Sequence, residues 1–124
     1  MTTTLLYISF TLIAGCVFIR FYKSYKRKQL FNLAYRLTLN GHTINAIKVY
    51  TRLIELSPKN FVYYNNRGHC YLVLEEIEHA RADFEKSIEL EPDLLDNHIT
   101  YENIKRLESL IKLNTIDLET SNNH

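Results

Sequence analysis

From Met1 to Ile19 the chain contains no Lys, Arg, Asp or Glu. Glycine is scarce, confined to Gly15, Gly41 and Gly68, and proline scarcer, at Pro58 and Pro92. No glycine-rich phosphate loop and no nucleophile motif can be found. The two cysteines, Cys16 and Cys70, lie in unlike surroundings, one in the apolar opening and one in the body. That argues against a mutual disulfide and against a stapled secreted domain. No Asn-X-Ser/Thr sequon occurs, which is compatible with a cytosolic or bacterial setting.

Metal-ligand spacing is missing too. His42 falls in a turn, His69 and His79 in different helices, His98 near the end and His124 in the tail. Glu75, Glu76 and Glu78 read as a solvated acidic corner rather than an acid/base pair. An enzyme is not expected, nor a cofactor, nor a metal site. At 124 residues there is room for one domain.

What is present is sharply divided. "TLLYISFTLIAGCVFI" is the most apolar run, and the charge-free stretch of 19 residues would span about 28 Å as a helix. A bilayer core is about 30 Å thick. Five cations follow within nine positions: Arg20, Lys23, Lys26, Arg27 and Lys28. Tyr22 and Tyr25 stand among them, where amphipathic rings settle at an interface. The expectation is a single-pass anchor, N-terminus out and body cytoplasmic, with these cations at the membrane surface. "IAGC" at Ile13 to Cys16 offers a rival, a lipobox with Cys16 acylated, although Val, Phe and Ile follow where small polar residues are usual. From Gln29 onward ten basic residues face fourteen acidic ones, which excludes a nucleic-acid-binding composition.

The body says nearly the same thing twice. "IELSPKN" begins at Ile54 and "IELEPDL" at Ile88, 34 residues later. At this offset Ala46 falls on Ala80, Tyr50 on Phe84, Pro58 on Pro92, Ala34 on Gly68 and Leu37 on Tyr71. Tyr64, Gly68 and Tyr71 recur at helical spacing, as do Ala80 and Phe84. Small residues let helix backbones approach, aromatic rings fill the gap beside them, and each proline closes a unit. Asn40-Gly41 reads as a helix end and Thr43 as the next N-cap. Cys70 is expected to pack beside Gly68. The coarse reading is helix over 2–24, 28–40, 43–57, 61–74 and 77–91.

This 34-residue pattern resembles the tetratricopeptide repeat, a helix–turn–helix unit. The resemblance implies two helical repeat units stacked as an α-solenoid. With the N-terminal transmembrane helix read from the apolar run and a C-terminal capping helix read from the spacing of Ile104, Leu107 and Ile111, the expected fold is all-α. The expected divisions are an anchor over 1–22, a basic segment over 23–28, repeats over 27–60 and 61–94, a cap over 95–113 and a disordered tail over 114–124. Two repeats and a cap make a thin stack, which hints at a bound partner or a homo-oligomer.

The resemblance further implies a partner-binding groove lined by the first helix of each unit. Phe31, Tyr35 and Thr38 would come from the first repeat. Asn65, Asn66, His69, Leu72 and Val73 would come from the second. Their mixed, weakly charged character suits an apolar or amphipathic peptide segment. One subset of the family grips a C-terminal carboxylate with Lys, Asn and Arg. The matching positions here hold Phe31, Tyr35, Asn66, Asp96 and Thr100, of which Asn66 alone fits. The reading is therefore a membrane-anchored adaptor or scaffold that docks another protein. Two alternatives are an exported lipoprotein assisting an envelope machine, and a receptor for amphipathic targeting peptides like those of mitochondrial import. A third, a regulatory small subunit of a membrane enzyme, would show as stable co-purification.

Overall fold

Helix follows helix through turns whose geometry the sequence prepares. The computed structural model describes residues 1–92 and 97–122, and these contain five α-helices and no strand. They are α1 (Thr2–Leu39), α2 (Thr43–Leu56), α3 (Phe61–Val73), α4 (Ile77–Leu90) and α5 (Asn97–Asn122). Each packs chiefly on its neighbour in sequence, as a helical solenoid requires.

The turns within the two hairpins share one design. After α1, Gly41 donates to the carbonyl of Thr38 (3.1 Å) and His42 to that of Leu37 (2.9 Å). After α3, Glu75 donates to Leu72 (3.1 Å) and Glu76 to Tyr71 (3.0 Å). These paired bonds form a Schellman closure, which satisfies the last carbonyls of the helix and needs a left-handed residue at its centre. Gly41 and Glu75 supply it at φ +76° and +60°. The closure also moves the N-cap of α2 from Thr43, as expected from sequence, to His42. Thr43 already lies in the first helical turn, with its side chain buried.

The long turns also match. α2 ends before Ser57-Pro58 and α4 before Glu91-Pro92. Ser57 (φ −152°, ψ 74°) and Glu91 (φ −146°, ψ 75°) adopt almost the same extended backbone. A residue preceding proline is driven out of the helical region by the ring. The Asn60 side chain then accepts from the Val62 N–H (3.1 Å) and caps α3.

Two apolar clusters fill the stack. In the first, Ala34, Ala46, Tyr50, Leu53 and Cys70 have no exposure and join α1, α2 and α3. In the second, Ala80 and Phe84 of α4 close on Leu107 of α5. A Cβ placed on Gly68 would come within 2.9 Å of the Phe84 ring and 3.3 Å of the Ala80 carbonyl. The small residue is what lets α3 approach α4. Cys70 lies instead in the cluster with the first hairpin, because two residues turn a helix by about 200°.

Two boundaries differ from the sequence expectation. The anchor and the first repeat helix are one unbroken helix of 38 residues, with no break between 24 and 28. Neither Gly nor Pro occurs between Cys16 and Asn40, so nothing interrupts the hydrogen-bond ladder. Its apolar window has a mean hydropathy of 1.9 and is wholly uncovered by the rest of the chain. This is one helix long and apolar enough to cross a membrane, by length and composition. At the other end, α5 continues to Asn122 through most of the expected disordered tail. No helix breaker follows Pro92, and the Thr115 hydroxyl folds back on the Ile111 carbonyl (2.9 Å).

Candidate partner-binding face

The inner face is built where α1 meets α3. Phe31 packs edge-on against Tyr50 (6.2 Å between centroids) and tilted against Tyr63 (5.8 Å). One turn on, Ala34 is fully buried. One turn further, the Thr38 hydroxyl lies 3.5 Å from the Cys70 sulfur and bonds back to the Ala34 carbonyl (3.0 Å). Phe31 and Thr38 are thus committed to the seam between the hairpins. Their chance to touch a partner is limited to one edge.

The second-unit residues divide in the same way. His69 sets its ring edge-on to Phe84 (5.1 Å) and its Nε2 lies 3.2 Å from the Asn103 side-chain nitrogen of α5. Burial lowers its pKa. Leu72 packs into the second cluster. Asn66 donates to the Val62 carbonyl (2.8 Å) within its own helix. The Oδ1 of Asn65 is buried, and among the described residues nothing donates to it. Of the carboxylate-gripping positions, Asp96 and the side chain of Thr100 lie outside the described residues.

Two of the expected residues stand open. Tyr35 is 50% exposed and Val73 69% exposed. Leu39, which the sequence reading left out, is 67% exposed and lies 34 residues before Val73. The repeat period itself could have found it, since Leu39 and Val73 hold the same place in successive units. Among the described residues no group of three or more His, Cys, Asp or Glu is arranged to hold a metal ion.

Behind this face lies a feature the sequence did not announce. Arg67 makes a bidentate pair with Asp83 through Nε and Nη2 (both 2.8 Å), and donates from Nη1 to Thr51 (3.0 Å). Tyr64 and Tyr71 flank its guanidinium, at 5.9 and 5.8 Å. The hydrogen bonds to Asp83 raise the Arg67 pKa further. These tyrosines therefore enclose a cation as well as filling space. In the first repeat the matching positions hold Leu33 and Val49, an apolar pair. The second unit thus locks α2, α3 and α4 together with a charged pair that the first unit does not repeat.

The cationic residues lie along α1. Arg20, Lys23, Lys26 and Lys28 are exposed, whereas Arg27 is half-buried and donates to the Ser57 hydroxyl (3.1 Å). The Lys26 ammonium rests over the Tyr22 ring at 5.1 Å.

A stack of helical hairpins with a 34-residue period, small-residue contacts and an inner face made by first helices defines a protein-interaction scaffold of the repeat class. The comparisons give the family. The tetratricopeptide repeat profile matches residues 61–94. The TPR2B domain of yeast Sti1, solved in its pHsp70 complex, superposes with a TM-score of 0.63 at 25% identity, over 77% of this chain and 74% of that one. A UDP-N-acetylglucosamine–peptide N-acetylglucosaminyltransferase of Giardia intestinalis is 33% identical over 88 residues, 71% of this chain. The STIP1 homolog of Dictyostelium discoideum is 43% identical over 49 residues, 40% of this chain. The chain spans only 6% and 9% of those two relatives. This chain belongs to the tetratricopeptide repeat family.

Proposed function

We propose that the chain is an adaptor that docks an apolar or amphipathic segment of another protein at the cytoplasmic face of a membrane. The observation that carries the reading is the strip of Tyr35, Leu39 and Val73, exposed apolar side chains on the first helices of both units. An amphipathic segment would bury its apolar side there. The pHsp70 and pHSP90 complexes of Sti1 supply a family precedent for peptide capture. Without the basic residues of a carboxylate grip at positions 31 and 35, this face favours apolar contact over an acidic chain end.

Membrane attachment would come from the uncovered first half of α1, with Arg20 to Lys28 holding the cytoplasmic side. Tethering raises local concentration, so weak contacts at the strip would suffice. The test places a photocrosslinking residue at Tyr35, at Val73 and, as control, at the exposed Glu85 of α4 in the membrane-bound full chain. The first two should capture one common partner, and Leu39→Asp should abolish the capture. Equal capture from Glu85 would refute the docking face. Release of the chain by alkaline carbonate would refute the anchor.

A further inference from the structure

Directly below the charge-free part of α1, the structure forms a recess of about 580 Å³ between α1 and the last turn of α2. Its floor is apolar, made by Tyr22, Leu30 and Leu56. Its cationic rim comes from Lys23, Lys26 and Arg27 on α1 and from Arg52 on α2. Arg52 is partly neutralised by Glu55 (2.7 Å). Among the described residues, no ion pair joins Lys23, Lys26 or Arg27 to a carboxylate. Three uncompensated cations over a hydrocarbon floor make a site for an anionic amphiphile rather than for a peptide carboxylate.

We propose that this recess binds the phosphate of an anionic lipid headgroup between Lys23, Lys26 and Arg27, with the lipid's glycerol and upper acyl chain toward Tyr22. The inference rests on the membrane reading above and adds a defined ligand site to it. Position supports a lipid. Because α1 is unbroken, Tyr22 and Lys23 fall about 5 Å past Ile19, and Arg27 about 12 Å past it. The headgroup layer is roughly 5–8 Å deep on each side of the hydrocarbon core, so Tyr22 and Lys23 fall within it, and the Arg27 side chain, inclined toward the helix N-terminus, reaches back toward it. Arg27 donates one N–H to Ser57, which fixes its stem and leaves other N–H groups free for phosphate oxygens. A merely diffuse attraction would need no second helix. Here α2 supplies a wall through Arg52 and Leu56, residues distant in sequence from the basic stretch.

The experiment uses the full chain in nanodiscs of phosphatidylcholine with a minor share of phosphatidylglycerol, and native mass spectrometry to count retained lipids. The wild type should retain phosphatidylglycerol preferentially. Lys23→Gln with Arg27→Gln should cut that preference by about fivefold per charge. Leu56→Asp should also cut it. Arg20→Gln with Lys28→Gln removes the same charge outside this recess and should leave it almost intact. An equal loss from that control pair would mean diffuse attraction and overturn the site. Displacement by inorganic phosphate would assign the recess to a soluble anion and overturn the lipid. A chain that enters the disc without any preference defeats this inference alone. A chain that never enters the disc defeats the anchor reading first, and this inference with it.

Discussion

Gly41 and Glu75 stand at the same point of successive hairpins, 34 residues apart, and both hold a left-handed backbone, at φ +76° and +60°. Glycine adopts that conformation freely, whereas glutamate meets its own Cβ there, at a cost of roughly 1–2 kcal/mol. The hydrogen bonds of the turn hold Glu75 in place. Glu75→Gly should therefore stabilise the stack by about 0.5–1 kcal/mol after the entropy cost of glycine. Gly41→Ala should destabilise it by about 1 kcal/mol or more. Urea midpoints measured in a membrane mimetic, at unchanged slope, check both.

Gly68 gives the opposite sign for the same kind of change. In a bare helix Gly→Ala gains about 1 kcal/mol. Here the added methyl would meet the Phe84 ring at 2.9 Å and the Ala80 carbonyl at 3.3 Å. Gly68→Ala should lower stability by about 1–3 kcal/mol, the usual cost of overpacking, and Phe84→Leu should recover part of it.

The Arg67–Asp83 pair offers a test against its apolar counterpart. Asp83→Ala leaves a guanidinium that is mostly buried, and should cost about 3 kcal/mol. Replacing both partners by the residues of the first unit, Arg67→Leu with Asp83→Val, should restore most of the loss. A double variant as unstable as the single one would show that the charges cannot be exchanged for hydrocarbon.

Stability should fall with acid through His69. Its folded pKa lies below the ordinary 6.5 because burial opposes the charged form. The native state therefore binds fewer protons than the unfolded chain, so its advantage is complete above pH 6.5 and shrinks as pH falls toward the folded value. The protonated ring would also sit against the Asn103 side-chain nitrogen, 3.2 Å away. Melting followed between neutral and mildly acid pH should show this slope, and His69→Gln should flatten it.

α5 seals the second cluster through Leu107, which has no exposure. Leu107→Ala should cost about 2–5 kcal/mol. Hydrogen exchange should speed up in α5 and at the α4 surface beneath it before it does in α2.

The 34-residue period made the hairpins and most of the core legible, because Ala46 and Ala80, or Tyr50 and Phe84, repeat the same packing need. The turns were legible where glycine marked them and less so at Glu75, whose strain belongs to the hydrogen bonds around it. Arg67 and Asp83 lie sixteen residues apart on different helices. Their meeting depends on how the α3–α4 turn sets the register between helices, which composition does not encode. The same holds for His69, whose partners on α4 and α5 take it from open groove to covered seam. Polar composition reads as disorder over 114–124, yet α5 runs on to Asn122 because no breaker interrupts it. Leu39 is legible from its counterpart Val73, which holds the same place one repeat later.

Continuity of α1 carries one last implication. A rod of 38 residues with no hinge joins whatever grips its first half to the hairpin packed on its second. Each residue added or removed near Lys23 would swing the docking strip by about 100° around that rod. The compass bearing of the captured segment is thus written into helix phase, and a three- or four-residue insertion should be forgiven where a two-residue one is not.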